Sequence, residues 1–468
     1  MTRETTLQTA LEYFRSGEFR ATLARRIAYQ TESQNPQQAP VLLAYLSEEL
    51  IPRLETLGFD CRIVANPQAG KSPFLLARRI EAAADFTLLT YGHGDVVPGD
   101  AENWRPDLSP WQLHVEGNRW YGRGVADNKG QHSINLAALA MVLQARDGRL
   151  GYNVKMILEM GEEVGSPGLE QVCQQYRDWL AADLFIASDG PRVSAERPTL
   201  FLGSRGVFNF SLQIISRDGA HHSGNWGGLL SNPGIRLAHA IGCLVDANGR
   251  IQVPELLPPP LSATIRHHLA DLELANAPGD PQIAPQWGEP GLSAAEKLYG
   301  WNTLETLAFT TGNPEKPAHA IPASAIAHCH MRYVPGSDVD HFADHIRRQL
   351  DRCGFSDVAI IGPVNCFKAT RIDPDDAWVR WSVASISRSV GKNAAVLPNF
   401  GGGLPNACFL DTFGVPTLWI PHSYPACSQH APNEHLLADV ACEALQIMTG
   451  LFWDLAEQGR EVLLARRG

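Results

Sequence analysis

At 468 residues, 44% hydrophobic and 19% charged, the chain has the make-up of an ordinary globular protein and is too long for one simple core, so two or three domains are expected. A formal net charge of −11 argues against nucleic acid or an anionic membrane as the main partner. Nine cysteines (Cys61, Cys173, Cys243, Cys329, Cys353, Cys366, Cys408, Cys427 and Cys442) are scattered, odd in number and without a CxxC pair, a pattern that points to thiols in a reducing cytoplasm rather than a disulfide framework.

The opening MTRETTLQTALEYFRSGEF lacks the basic start and apolar core of a secretory signal and reads as an amphipathic helix. No apolar run reaches membrane-spanning length. PVLLAYLSEELIPRLETLG follows as a candidate helix, and then three short apolar runs behave alike. Phe86–Tyr91 runs into His93 and Asp95, Val154–Leu158 into Glu162 and Glu163, and Leu184–Ala187 into Asp189. Between the first two, WYGRGVADNKGQH places Asp127 between a glycine-rich turn and the helix GQHSINLAALAMVLQARDG, which Gly148 stops. Continuous apolar runs separated by helices predict an α/β domain with a mostly parallel sheet covered on both faces. Ligands of such sheets bind beyond the carboxyl ends of the strands, where all three runs deliver their polar residues.

From Arg205 the texture changes. VFNFSLQIISRDG alternates like a half-exposed strand, and NPGIRLAHAIGCLVDANG is a helix opened by Asn-Pro. After a proline-rich interval come the strands LETLAFTTG and SAIAHCHMRYVPG, then the helix SDVDHFADHIRRQLDRCG with Ser337 as its cap and Gly354 as its stop, then the strand SDVAIIGPV. Strand, helix, strand, strand, helix, strand is a ferredoxin-like order. The expected organisation is a catalytic domain over 1–204 and 369–468, interrupted by a domain over 205–368.

His93, Asp95, Asp127, Glu162, Glu163, Asp189 and a histidine near the end, His430 in SQHAPNEH, make a donor set that suits zinc and also manganese or cobalt. A carboxylate has two oxygens, so Asp127 can bridge two cations. Asp95, two residues from His93, is placed to hold the other ring nitrogen. If Glu163 binds a cation, Glu162 is free to act as general base on an activated water. Each piece alone is commonplace on a surface or in a turn; together, at successive strand ends, they point to a metal centre.

With these motifs in this order the chain resembles the M20 family of dinuclear-zinc peptidases and amidohydrolases. The likeness lies in YGHGDVVP, YGRGVADNKG, MGEEVGSPGL, ASDGP, SRGVFNFSL, HHSGNWGG, AIPASAIAHCHMRYVPG and HAPNEH. The inserted domain and the HSG-x-x-GG form look most like the carnosine-type dipeptidases of that family. The resemblance implies a zinc-exopeptidase-like catalytic domain with an inserted lid that also dimerises. It implies that Glu163 and His430 hold one zinc and His93 and Asp189 the other, with Asp127 bridging, Glu162 as general base and Asp95 orienting His93. It further implies a cis peptide bond after Asp127, an oxyanion-stabilising role for His222, and a grip on the substrate carboxylate by Arg332. The turn NFGGGLPNA, with Gly401, Gly402 and Gly403, would receive the C-terminal end of the substrate. Gly403 departs from the serine usual in related dipeptidases, and His319 stands where asparagine or threonine is often found.

The expected activity is hydrolysis of an amide bond in a dipeptide or short peptide, with two divalent metal ions per chain, in a cytoplasmic homodimer. The alternative is an N-acyl or N-carbamoyl amino acid deacylase or carboxypeptidase using the same residues. Asp189 favours the first, because aspartate at this position tends to accompany dipeptidases in the family and glutamate the deacylases.

Overall fold

The chain's polar strand ends are gathered by an eight-stranded sheet. The structure is a computed structural model that describes residues 1–274 and 281–467. It divides into one unit of Met1–Leu202, Ile372–Leu397 and Pro405–Gly468, and another of Gly203–Arg371 and Pro398–Leu404. The sheet belongs to the first. Its strands run in the order Asp60–Val64, Phe74–Arg79, Asn153–Glu159, Thr87–His93, Leu184–Ala187, Thr417–Trp419, Thr199–Phe201, Ala395–Leu397. The centre, from Asn153–Glu159 to Thr417–Trp419, is parallel throughout. The two strands at one edge pair antiparallel, as do Thr417–Trp419 and Thr199–Phe201, so the sheet is mixed.

Both faces are covered, as the unbroken apolar runs require. On one side lies the helix Lys129–Ala145, buried along almost its whole length and packed against the terminal helix Ala438–Arg467. On the other, Tyr91 and Phe185 meet Phe409 of the helix Asn406–Phe413, with ring centroids 5.2 and 4.4 Å apart. Each such side chain withdrawn from water contributes about 1.5–3 kcal/mol. The run PVLLAYLSEELIPRLETLG is helical from Ala39 to Thr56, but Tyr45–Leu50 is wound as a π-helix just ahead of Pro52. A proline has no N–H to continue the regular ladder, and a widened turn before it accommodates the loss.

The second unit carries a four-stranded antiparallel sheet in the order Thr303–Thr311, Ser324–Tyr333, Gly206–Ile215, Ala359–Phe367. Helices Pro233–Gly242 and Phe342–Arg352 complete a βαββαβ chain order. Gly206–Ile215 alternates buried and half-buried residues along most of its length, because one face meets a helix-covered core of Phe208, Phe210, Leu237, Phe342 and Ile346. Ser337 does not cap Phe342–Arg352: its hydroxyl is taken by Asn302 Nδ2 at 2.9 Å, and the helix is entered through a 3-10 turn, Val339–His341. Pro398–Leu404, expected within the catalytic domain, groups with this unit, since the Phe400 N–H donates to Gly203 O and the Arg205 N–H to Phe400 O. Among the described residues no helix is long and apolar enough to cross a membrane.

Candidate active site

Register explains why the polar residues converge. His93 lies opposite Glu159 on the neighbouring parallel strand, and the turn carrying Glu162 and Glu163 follows at once. Leu89 lies opposite Phe185, and the same register continued to the strand ends brings Asp189 level with His93. Asp127 stands two residues before the helix Lys129–Ala145, whose N-terminus favours a negative charge. The peptide bond Asp127–Asn128 is cis. His430 comes from the loop between Thr417–Trp419 and the terminal helix.

The two oxygens of Asp127 face different histidines. His93 Nε2 lies 3.0 Å from Oδ1, and His430 Nε2 lies 3.0 Å from Oδ2. His93 Nε2 is also 3.6 Å from Asp189 Oδ2, and His430 Nε2 is 3.1 Å from Glu163 Oε2. Gln429 Nε2 donates to Asp127 Oδ2 as well. His93 Nδ1 sits 3.1 Å from the Asp95 carbonyl oxygen, which can only accept, so that nitrogen carries a proton. The Asp95 carboxylate is 3.4 Å from the same nitrogen. Its closer partners are the backbone N–H of Glu162, donating to Oδ1, and of Glu163, donating to Oδ2, both at 3.1 Å. Asp95 therefore fixes the turn that presents the glutamate pair as well as facing His93.

The electrostatics describe a cluster short of positive charge. Burial pushes the Glu162 carboxyl well above its ordinary range, with the charges of Asp189 and Glu163 adding to the effect. Burial, then the charge of Asp127, raises Glu163 to about 7 and Asp189 to about 6. Burial also opposes the ionised form of Asp127, yet hydrogen bonds from His430 and His93 hold its pKa well below the usual value. Burial disfavours the charged His93 ring, but its bonds to Asp127 and Asp95 keep its pKa well above normal. Hydrogen bonds to Asp127 and Glu163 raise His430 to about 11. Five carboxyl groups thus face two imidazoles, and the buried Glu163 Oε1 has no hydrogen-bond partner among the described residues. This donor set fits divalent cations: His93, Asp127 and Glu163 offer ligand atoms within 4.8 Å of one another. Among the described residues the other acidic group of this kind, Asp107, His114 and Glu116, is largely exposed, and Arg105 already binds both its carboxylates.

His222, Arg332 and Gly401–Gly403 lie in the second unit. His222 is exposed on a two-residue strand paired with Ala320–Ile321, and its Nδ1 accepts the Gly224 N–H at 3.1 Å. Arg332 is partly buried in Ser324–Tyr333, between Val207 and Thr303, with no ion-pair partner among the described residues. Gly401 O accepts from Arg205 Nε at 2.9 Å. A Cβ on Gly403 would lie 2.8 Å from Phe367 Cδ2 and 3.2 Å from Val207 Cγ2, so a serine there has no room unless Phe367 moves. Sequence reasoning missed Gln429, Asp95's bonds to the glutamate turn, and Glu159. The Glu159 carboxylate, buried at the end of its strand, accepts from Tyr91 Oη at 2.7 Å and from Ser166 Oγ at 2.9 Å. Glu159 stands between the apolar run Val154–Leu158 and the motif MGEEVGSPGL, and nothing in the string separates it from the glutamate pair that follows.

Residues 89–454 match the description of peptidase family M20/M25/M40. The chain is 31% identical over 263 residues to the β-Ala-His dipeptidase of Rattus norvegicus, covering 53% of each protein. It is 26% identical over 458 residues to the Cys-Gly metallodipeptidase of Candida albicans, covering 88% of this chain and 90% of that one. The chain thus spans about half the length of the rat relative and nearly all of the yeast one. The crystal structure of human carnosine dipeptidase 1 shares the fold, with a TM-score of 0.78 at 23% identity over 96% of this chain and 99% of that one.

Proposed function

The chain belongs to peptidase family M20/M25/M40, and from that premise we propose that it is a metal-dependent hydrolase of the amide bond in dipeptides and short peptides. The observation that carries the reading is Asp127, with each carboxylate oxygen turned to a different histidine and a further carboxylate beside each ring. In this reading Glu163 and His430 would hold one divalent cation and His93 and Asp189 a second, with Asp127 offering a carboxylate oxygen to each. Zinc comes first on donor chemistry, with manganese or cobalt as alternatives. When bound, such a pair polarises the scissile carbonyl and lowers the pKa of water toward about 7.

The protein's own part is positional and acid–base. Glu162, one residue from Glu163 and held by its N–H bond to Asp95, takes the proton of the attacking water and returns it to the leaving amine. Asp95 keeps His93 oriented. In the second unit, read as a lid, His222 stabilises the oxyanion, Arg332 grips the substrate carboxylate, and Gly401–Gly403 receive that end of the substrate. These assignments rest on the motifs. The homodimer reading is supported by Leu307, Phe309, Ile361 and Val364, apolar and exposed on the two outer strands of the second unit's sheet. A cytoplasmic setting accords with nine cysteines that form no disulfide.

Both relatives above carry dipeptidase names, which favours a free dipeptide over an N-acyl amino acid. The test is turnover of Ala-Leu against N-acetyl-leucine by the zinc- or manganese-loaded protein. The two compounds share a carboxyl end and differ on the amine side alone. Cleavage of Ala-Leu only is expected; preference for the acetylated compound overturns the dipeptidase reading.

A further inference from the structure

We propose that Glu434 is a positioning residue that sets the loop bearing Asp127 against the loop bearing His430, and so governs how tightly that position holds a divalent cation. The inference rests on the metal-centre reading above. Glu434 closes the His430 loop, and its side chain is 1% exposed. Its Oε1 accepts the N–H of Gly124 at 3.1 Å, of Ala126 at 2.9 Å and of Asp127 at 3.1 Å. Its Oε2 accepts the Gly124 N–H at 3.0 Å and Arg123 Nη1 at 2.9 Å. The carboxylate thus fills a cradle of backbone donors that ends on Asp127 itself. Gly124, at φ +89°, gives this backbone a turn that side chains resist.

The staple also runs the other way. Arg123 Nη1 donates to the carbonyl of Ala431, the residue after His430, at 3.1 Å. The Gly122 N–H donates to Glu434 O at 3.1 Å, and His435 pairs with Tyr121. These bonds fix the two loops in register, and the 3.0 Å approach of His430 Nε2 to Asp127 Oδ2 follows from them.

The His430 loop needs such fixing. Ser428, His430 and Asn433 have φ of 56°, 61° and 63°, in the left-handed region that non-glycine residues seldom adopt. Such conformations persist where the surroundings over-determine them. Glu434 touches neither Asp127's carboxylate nor His430's ring, so its action on a cation passes through the backbone of one loop and the placement of the other.

The experiment is calorimetric titration of Mn(II) into metal-free wild-type, Glu434→Gln and Glu434→Asp proteins, with thermal unfolding alongside. A glutamine keeps one acceptor oxygen and turns an NH2 toward N–H donors. In Glu434→Gln the binding step that needs both Asp127 and His430 is expected to weaken about 10- to 100-fold, and the other, which shares only Asp127, by less. Glu434→Asp, which keeps the charge, is expected to recover part of the loss. Two wild-type steps in Glu434→Gln overturn the proposal, and so does equal weakening of both steps with a lowered Tm, which is what a merely structural ion pair gives. If Glu434→Gln does not fold, Arg123→Lys replaces it, because one ammonium cannot reproduce the guanidinium's hold on both Glu434 and Ala431. The same step should then weaken about tenfold, and unchanged binding overturns the proposal. Wild-type protein that takes up no Mn(II) overturns the metal-centre reading, and this inference with it.

Discussion

Replacing Asp95 by asparagine tests whether the glutamate pair is positioned by a carboxylate. Asp95 is fully buried, and each of its oxygens accepts one N–H of the turn, from Glu162 and from Glu163, at 3.1 Å. An asparagine has the same shape but one acceptor. In either orientation its NH2 points at a backbone N–H. One charge-assisted bond, worth about 1.5–3 kcal/mol, is lost, and one buried donor is left unpaired at about 1–3 kcal/mol. The metal-free variant should therefore be less stable than wild type by about 2.5–6 kcal/mol in urea unfolding. The second readout is catalytic. If the turn shifts by about 1 Å, the displaced general base should lower kcat on Ala-Leu about 100-fold at saturating Mn(II). An Asp95→Asn protein within about 1 kcal/mol of wild-type stability, below even one such bond, and with unchanged kcat would refute the positioning role.

Three further outcomes are expected. Glu162→Gln should lower kcat about 10²- to 10⁴-fold while Mn(II) stoichiometry, measured by calorimetry, stays at the wild-type value. Burial, with Asp95's charge adding, raises the Glu159 carboxyl from 4.5 to about 7, so the folded protein holds a proton there that the unfolded chain releases above about 4.3, and wild-type stability falls as pH rises through that window. Glu159→Gln removes this contribution, so urea unfolding of the two metal-free proteins should differ by on the order of 2–3 kcal/mol more, in the variant's favour, at pH 8 than at pH 4. Gly403→Ser should destabilise by about 1–3 kcal/mol through overpacking, with recovery in the double variant that also carries Phe367→Leu, since Phe367 Cδ2 is the atom a new Cβ meets at 2.8 Å; a single variant as stable as wild type contradicts the steric account.

What the sequence displayed and what it hid follow from how far each interaction reaches. His93, Glu162, Glu163 and Asp189 stand directly after apolar runs, so local patterning and one assumption, a shared parallel sheet, suffice to bring them together; the register His93–Glu159 and Leu89–Phe185 does the rest. The short strands Thr199–Phe201, Ala395–Leu397 and Thr417–Trp419 have three residues each, too few to show a period. The strand Phe74–Arg79, second from the edge, ends in two arginines, and its antiparallel pairing on both sides leaves no mark on its composition. Ser337 has the right chemistry for a cap and loses that role to Asn302, 35 residues away. Glu434 is the extreme case. Every donor to its carboxylate lies more than 300 residues earlier in the chain, and in HAPNEH it looks like one more polar residue of an exposed turn. The residues that would touch a cation are recognisable by type and by position at a strand end. Those that aim them bond to backbone, which any sequence supplies equally, so they become visible once the two loops are folded against each other.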